Sequence, residues 1–427
     1  MQQYRTVSKS VNIILALIAI LPFIITIRFV SNYSLNLPIY DDWEAILKFM
    51  INWSNSSKIQ KIILLFSQHN EHRILSSRIV YILYYHFCHR INFVSLIIIA
   101  NLQLVVIAGI IFYFSQNILK GIGGILAIVI SICVFDPSNF ENSNFAMAGM
   151  QNYGIIMFFL ISLYFYSLKS SKYYILFLAV FFQFLCAFSS GNGFMAGLAL
   201  VVFNLFNMNT LKTKVCITGF IIFTTSYFCN YHSPGPSHVS TNIPIIIYFF
   251  LKLSGAHFER DYKLIRILIA LVLYTVLVLC LFYKMNKEKY LYKIKDLNLL
   301  PLLSLLFFIL LSITSLSILR SGGEDGVGKA SCSRYFIYPN LLTAIVFIIL
   351  LLRIQPFKYR WIIISAALLI FINSYRVNYN YGRKGYIKTK TTLTESKYFF
   401  YDSTIANKIA IDACSKKIYC IDENRPQ

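Results

Sequence analysis

Long apolar runs separated by short polar breaks dominate the chain, and their lengths predict membrane-spanning helices. A helix needs about 20 mostly apolar residues to cross a bilayer, and fewer where neighbouring helices bury its ends. The sequence therefore predicts an all-α polytopic integral membrane protein with about 11 transmembrane helices. We expect these spans at residues 11–30, 93–114, 118–135, 153–168, 173–188, 194–206, 215–228, 264–283, 299–319, 335–352 and 361–375.

Basic residues orient the predicted spans. Arg5 and Lys9 precede the first span, and no small-residue cleavage site follows it, so we interpret it as an uncleaved anchor with a cytoplasmic N-terminus. Alternation then places the breaks at 136–152 and 231–242, which contain no Lys or Arg, on the outer side. The breaks predicted to be cytoplasmic carry Lys120, Lys169, Lys172, Lys212, Lys214, the cluster at 284–295, Arg353, Lys358 and Arg360.

Composition excludes several classes of protein. Hydrophobic residues make up 57% of the 427 positions and charged residues only 13%, whereas about a quarter of an average soluble domain is charged. A net charge of +22 would indicate nucleic acid as a partner for a soluble protein, but the sequence has no soluble domain that could bind it. Nearly all carboxylates fall on the predicted outer side, so chemistry that needs one would occur there.

Three predicted outer segments are long enough to hold a site within a membrane domain covering residues 1–375. They are the first outer loop at 31–90, a second loop at 320–334 and a polar tail at 376–427. Within the first loop, residues 44–53, 58–66 and 74–87 carry apolar residues at helical spacing but are too short to span. We expect interfacial helices there, lying on the membrane surface.

An acidic pair, Asp41 and Asp42, begins about ten residues beyond the first span, close to the headgroup region. One interpretation is structural, with Asp42 capping the next helix and Trp43 in the aromatic belt of the membrane. The other is catalytic, with one carboxylate as general base and its neighbour raising the pKa or helping to hold a divalent cation such as Mg²⁺ or Mn²⁺. Trp43 and Glu44, together with Tyr335 at the end of the second outer loop, are candidate substrate-binding residues.

A second polar stretch covers residues 69–73, His-Asn-Glu-His-Arg. Its spacing lacks the His-Glu-x-x-His pattern and no third ligand is evident, so zinc is disfavoured and no metal ligand is assigned. Arg73 could grip a phosphate oxygen in a bidentate fork, while His69 and His72 bind hydroxyls or the same phosphate. Glu71 is a further candidate substrate-binding residue. The alternative is a solvated start of the following helix.

Arg334 and Tyr335 lie where the second outer loop re-enters the membrane. Arg334 is either a second phosphate clamp or an arginine that snorkels to lipid headgroups. In the tail, Cys414 and Cys420 are close enough for a local disulfide if the compartment is oxidising.

The acidic pair after the first span of a many-span chain resembles the GT-C superfamily of membrane glycosyltransferases. The layout is also similar to the serotype-converting O-antigen glucosyltransferases of temperate bacteriophages. That resemblance implies a protein of the bacterial inner membrane with a periplasmic C-terminal tail. It implies a polyprenyl-phosphate sugar as donor, a glucosyl unit as the transferred group, and O-antigen lipopolysaccharide or another surface glycan as acceptor. Asp41 would be the base and Asp42 its neighbour, although the sequence does not rank them.

Two other functions remain open from the sequence. A flippase or transporter for a lipid-linked glycan would carry charged residues within its spans, whereas here the charges lie at span ends. An O-antigen polymerase would face the same side but would rely on Arg-rich outer loops. Neither the need for a divalent cation nor any other cofactor follows from the sequence.

Overall fold

The computed structural model describes residues 8–233, 239–282, 298–322, 326–354, 360–395 and 401–421. Within these ranges the chain forms helices and no strand. The predicted cytoplasmic cluster at 284–295 lies outside the described residues. The helices are α1 (Lys9–Ile18), α2 (Leu21–Tyr33), α3 (Phe49–Asn55), α4 (Lys58–Phe66), α5 (Leu75–Cys88), α6 (Phe93–Ile118), α7 (Gly123–Val134), α8 (Phe140–Ser143), α9 (Ala146–Ser167), α10 (Tyr173–Ala187), α11 (Gly193–Asn207), α12 (Thr210–Phe228), α13 (Ile243–Ser254), α14 (Lys263–Phe282), α15 (Leu300–Arg320), α16 (Ile337–Ile354), α17 (Arg360–Glu395) and α18 (Ser403–Ser415).

Eight helical stretches in the described chain are long and apolar enough to cross a membrane. They are Ser10–Tyr33, Phe93–Ile118, Gly123–Ser143, Ala146–Ser167, Lys263–Leu281, Leu300–Arg320, Ser333–Ile354 and Trp361–Glu395. Three shorter apolar helices, α10, α11 and α13, accompany them. The chain is therefore an all-α polytopic membrane protein, as the apolar runs predicted. Each predicted span coincides with helical structure, and α13 is an additional apolar helix that was not predicted.

Packing separates an inner group of helices from an outer, lipid-facing group. Helices α7, α9 and α16 contribute most of their side chains to one large core, in which Phe159 lies 4.7 Å from Phe308 between ring centroids. Helices α14 and α17 instead leave large apolar side chains such as Leu264, Val272 and Leu369 exposed. Exposed apolar side chains on helices with satisfied backbones are what a hydrocarbon environment favours.

A second core lies at one end of the bundle, where the first outer loop packs against the C-terminal tail. Trp43, Ile46 and Met50 are buried there together with Ala406 and Ile409 of α18. The apolar face of the segment from Trp43 to Asn55, a π-helical turn followed by α3, is thus buried, and Asn52, Ser54 and Asn55 on its other face are exposed. In contrast α4 has no buried residue and exposes its apolar face.

Helix α17 continues across the predicted boundary at residue 375. Its 36 residues extend roughly 54 Å, longer than the hydrocarbon core of about 30 Å. The polar half packs against residues 137–140, and a Cβ at Gly382 would lie 2.3 Å from the Pro137 carbonyl oxygen. Lys390 donates to the Asn32 carbonyl at 3.0 Å. The start of the polar tail is therefore a rigid extension of a membrane helix.

Candidate functional site

A cavity of about 620 Å³ opens at the end of the bundle that carries the second core. This volume is in the range of pockets that bind drug-sized ligands. Its walls come from Asp41 and from residues within 70–72, 145–152, 190–194, 227–231, 312–320 and 329–338. These segments are far apart in sequence. All of them lie in or beside breaks between spans that were predicted to face the outer side of the membrane. One cavity therefore brings together the ends of five helices, α9, α11, α12, α15 and α16.

The two aspartates of the acidic pair have different environments. Asp41 lines the cavity, and its carboxylate makes no hydrogen bond to any described residue. Asp42 is buried and accepts the backbone N–H groups of Ile39 at 3.1 Å and Met147 at 2.9 Å. Burial raises the pKa of Asp42 well above its usual range, although these N–H groups oppose the shift. Asp42 thereby joins the acidic segment to the start of α9, leaving Asp41 to face the cavity.

The backbone before Asp41 has an uncommon conformation. Tyr40 has φ of 48°, which is rare for an aromatic residue. Its ring lies 5.6 Å from Phe145, and the Arg334 guanidinium lies over it at 5.7 Å. Such outliers persist only where surrounding contacts determine them, and they concentrate at functional sites.

A tight turn places His72 and Glu71 on the cavity wall. His69 and His72 exchange both backbone hydrogen bonds, at 2.7 and 2.9 Å, and Asn70 has φ of 48°, which its side chain tolerates. His72 Nδ1 accepts the N–H of Gly191 at 3.0 Å. Burial lowers the pKa of His72 to about 4, with Asp41 opposing the shift. His72 is thus a neutral acceptor at pH 7 that ties this turn to the α10–α11 turn.

Arg73 lies outside the cavity lining, although the sequence favoured it for phosphate binding. Its side chain is buried and donates to the carbonyls of Tyr227 at 2.7 Å and Phe66 at 2.6 Å, and to that of Cys229. Arg78 holds carbonyls at the end of α4 in the same way. Satisfying carbonyls at helix ends is a structural role typical of arginine.

Three cations line the cavity. Arg320 forms an ion pair with Glu71, and Arg334 lies 3.4 Å from Glu141. Lys329 lines the cavity without an ion pair or hydrogen bond to its ammonium group in the part of the chain that the structure describes. Arg266 holds the turn that carries Lys329, because its guanidinium donates a hydrogen bond to the Ala330 carbonyl at 2.7 Å. Arg334 was expected from the sequence; Arg320 and Lys329 were not singled out.

Part of the cavity wall is apolar. Phe194, Phe228, Leu316 and Leu319 line it, and the Phe194 and Phe228 rings contact each other edge to face at 6.0 Å. Phe228 and Leu319 are also 46% and 48% exposed, so this apolar wall is accessible to a ligand. A ligand with both a charged head and an apolar chain fits this combination.

Of the remaining predicted residues, some line the cavity and the others lie outside its lining. Tyr335 lines the cavity next to Arg334. Trp43 is fully buried and stacks on Tyr401 at 6.2 Å, while Glu44 pairs with Lys48 at 2.8 Å. His69 is buried beside the turn, and burial lowers its pKa while Asp41 opposes the shift. Cys414 and Cys420 are joined in a disulfide.

A buried ionic cluster that the sequence did not indicate lies behind this end of the bundle. Asp136 accepts from the Asn378 amide at 2.6 Å and lies 3.4 Å from His257. Arg260 donates to Asn378 at 2.9 Å, and burial lowers the pKa of Arg260 to about 10. The four residues join α7, the α13–α14 connection and α17. Truncating one member of such a buried ionic cluster is strongly destabilising.

Among the described residues, no three His, Cys, Asp or Glu side chains cluster closely enough to hold a metal ion. No protein-family model matches the chain, and no curated protein matches it.

Proposed function

We propose that the protein is an inverting glycosyltransferase of the GT-C type that uses a polyprenyl-phosphate sugar as donor. The observation that carries this proposal is the cavity, which combines Asp41, three cations and an exposed apolar wall. A donor of this class has the same three parts, namely a sugar, a phosphate and a long apolar chain. The resemblance of the acidic pair to the GT-C superfamily supports the same function.

Asp41 is the general base of the proposed reaction. Its carboxylate takes the proton of an acceptor hydroxyl as the hydroxyl oxygen attacks C1 of the donor sugar from the face opposite the phosphate. The bond between C1 and the phosphate oxygen breaks, and polyprenyl phosphate leaves with the electron pair. Asp42 has a supporting role. Its carboxylate accepts hydrogen bonds from backbone N–H groups and so holds the acidic segment in place.

Lys329, Arg320 and Arg334 stabilise the negative charge on the departing phosphate. Lys329 is the best placed of the three, since the two arginines already have carboxylate partners in Glu71 and Glu141. Cations aimed at the position where charge develops are among the strongest contributions to catalysis. Arg73 takes no part in phosphate binding, because its donors are used by backbone carbonyls.

The proposed setting is the bacterial inner membrane, with the cavity on the periplasmic side. The acceptor is then O-antigen lipopolysaccharide or another surface glycan, and the positive-inside distribution supports this orientation. A lipid-linked glycan flippase is less well supported. It would require ionisable groups along a path through the membrane. The buried Asp136, which follows α7 within the apolar stretch Gly123–Ser143, instead forms one compact cluster with His257 and Arg260 of the α13–α14 connection.

The experiment that tests the proposal compares the surface glycan of cells with and without the gene. We expect a new sugar branch when the gene is present, and no branch when it encodes Asp41→Asn at equal membrane abundance. A change in chain length without a branch would indicate a polymerase instead. An unchanged glycan in both strains would contradict the proposal.

A further inference from the structure

One wall of the cavity consists of neutral polar groups. It is formed by Gln151 of α9, Ser190 and Asn192 of the α10–α11 turn, Ser312 of α15 and Tyr338 of α16. In one group of these side chains, Asn192 Nδ2 donates to Tyr338 at 2.8 Å and to Ser312 at 3.1 Å. Gln151 Nε2 donates to Ser190 at 2.9 Å. The wall is therefore a polar network of two separate hydrogen-bonded groups, one around Asn192 and one of Gln151 and Ser190.

Each of the two amides in this network has one polar edge fixed by the protein and one that faces the cavity. The Asn192 and Gln151 carbonyl oxygens make no hydrogen bond to any residue that the structure describes, and neither oxygen is fully buried. Polar atoms that line a cavity without protein partners are available to a ligand. Because the other edge of each amide is held, the orientation of the open edge is set before a ligand binds.

The α10–α11 turn is itself held against the acidic side of the cavity. Gly191 donates its N–H to His72, and a Cβ at Gly191 would lie 2.9 Å from His72 Nδ1. Only glycine allows this close approach. The neutral wall is thus fixed relative to the turn that carries Glu71 and His72, which shares the cavity with Asp41.

We propose that this wall recognises the transferred sugar and selects an uncharged one, with Asn192 and Gln151 binding ring hydroxyls. This inference rests on the proposed function, because it names the part of the donor that contacts the wall. Sugar hydroxyls both donate and accept hydrogen bonds, and they therefore match open amide edges of either polarity. No charged side chain belongs to the network, so the carboxylate of an acidic sugar would lack an ionic partner there.

The test measures binding of polyprenyl phosphate and of its glucosyl, galactosyl, N-acetylglucosaminyl and glucuronosyl derivatives to the purified full chain in detergent. We expect at least one neutral sugar to bind more tightly than bare polyprenyl phosphate and more tightly than the glucuronosyl derivative. Asn192→Ala and Gln151→Ala should each weaken binding of that sugar about two- to tenfold, the range for one lost hydrogen bond, without changing the affinity for bare polyprenyl phosphate. Asn52→Ala, an exposed amide on α3, is the matched control and should change neither affinity.

Two results would overturn the inference while leaving the proposed function intact. In the first, both variants keep the preference for the sugar-bearing lipid. In the second, the glucuronosyl derivative binds as tightly as the neutral ones. If the wild-type protein binds none of these lipids, including bare polyprenyl phosphate, the proposed function fails as well. Lys329→Ala separates the two parts of the site, because it should weaken binding of bare and glycosylated lipids by the same factor.

Discussion

At the scale of single residues, two neighbouring carboxylates have separate tasks. Asp42 accepts backbone N–H groups from Ile39 and Met147 and is fully buried, whereas Asp41 faces the cavity. The sequence could not rank the pair, because adjacent residues of one type carry no sign of which is buried. The distinction arises from a contact between residues 105 positions apart, Asp42 and Met147.

We expect Asp42→Asn to reduce stability and Asp41→Asn to leave it unchanged. An asparagine at position 42 directs an amide N–H₂ at a backbone donor, and leaving a buried donor unsatisfied costs about 1–3 kcal/mol. Thermal unfolding in detergent measures the difference. Equal melting temperatures for the two variants would contradict the structural role assigned to Asp42.

His72 makes stability depend on pH. Its folded-state pKa of about 4 lies below the unfolded value of about 6.5, so its contribution is complete above the unfolded pKa and is lost as pH falls through the folded pKa. Protonation removes the Nδ1 acceptor for Gly191. We therefore expect the melting temperature of the wild type to fall more between pH 6.5 and 4 than that of His72→Asn, whose amide oxygen remains an acceptor.

The matched control for this measurement is His86→Gln, at an exposed position on α5. It should retain the full pH dependence of the wild type. If the melting temperature of His72→Asn depends on pH in the same way as that of the wild type, His72 does not titrate in this range.

Basic residues show why side-chain roles were only partly predictable. Arg73 and Arg334 are both arginines at membrane boundaries, and the sequence treated them alike. The structure brings Arg334 to the cavity and uses Arg73 to bind carbonyls at the end of α12. Lys329 lies in a glycine-rich loop whose position depends on Arg266 and Lys252, which are distant in sequence.

At the scale of structural elements, the C-terminal tail holds the first outer loop in place. Tyr401 of the tail stacks on Trp43, which follows Asp41 by two residues. Beyond α18, the Ile418 carbonyl accepts from Ile91 at 2.8 Å, and Tyr419 donates to the Asn36 carbonyl at 2.7 Å. The disulfide between Cys414 and Cys420 closes the short loop that carries these contacts.

Removing this disulfide should loosen the tail. Closing so short a loop contributes about 2 kcal/mol in the chain-entropy description. We expect the double variant Cys414→Ser, Cys420→Ser to be cut by trypsin faster after Lys417, which is exposed in the loop. Cys88→Ser, which replaces an exposed free cysteine, is the control. Identical digestion rates for the double variant and the wild type would contradict this role of the tail.

The membrane helices were largely predictable, and the elements around them were not. A bilayer requires long apolar runs, so length and composition locate α6 or α15 without any tertiary information. Helix α13 was missed because its 12 residues are too few for a span. The sequence placed the polar half of α17 in a polar tail and did not predict its helix, because that helix packs through Gly382 and Gly385 against residues that follow α7.

At the scale of the whole molecule, the proposed activity requires all cavity-forming loops to lie on one side of the membrane. We expect a cysteine at Asn70, beside the cavity, to react with a membrane-impermeant maleimide in intact spheroplasts. A cysteine at Lys169, between α9 and α10, should react only after permeabilisation. Replacing the exposed Cys88 and Cys229 and the cavity-lining Cys332 with serine lowers the background from free cysteines. Labelling of both positions from the same side would contradict the topology.

The cavity itself could not be predicted from the sequence. Asp41, Gly191, Arg320 and Lys329 meet only because five or more helices end at the same level, and a single sequence carries no record of which helix ends are neighbours. The acidic pair and the polar stretch at 69–73 lie at the end of the molecule that carries the cavity, and Asp41, Asn70, Glu71 and His72 line it. The neutral wall around Asn192 gave no comparable signal.

The most direct test of the account is transfer by the purified protein from radiolabelled polyprenyl-phosphate glucose to lipid-linked O-antigen. Asp41→Asn is compared with wild type and with Asp412→Asn, an exposed carboxylate on α18. Removal of a general base typically lowers the rate by about 10²–10⁴-fold. We therefore predict transfer by the wild type and by Asp412→Asn, and a loss of that size in Asp41→Asn with unchanged donor binding. Full activity of Asp41→Asn would contradict the account.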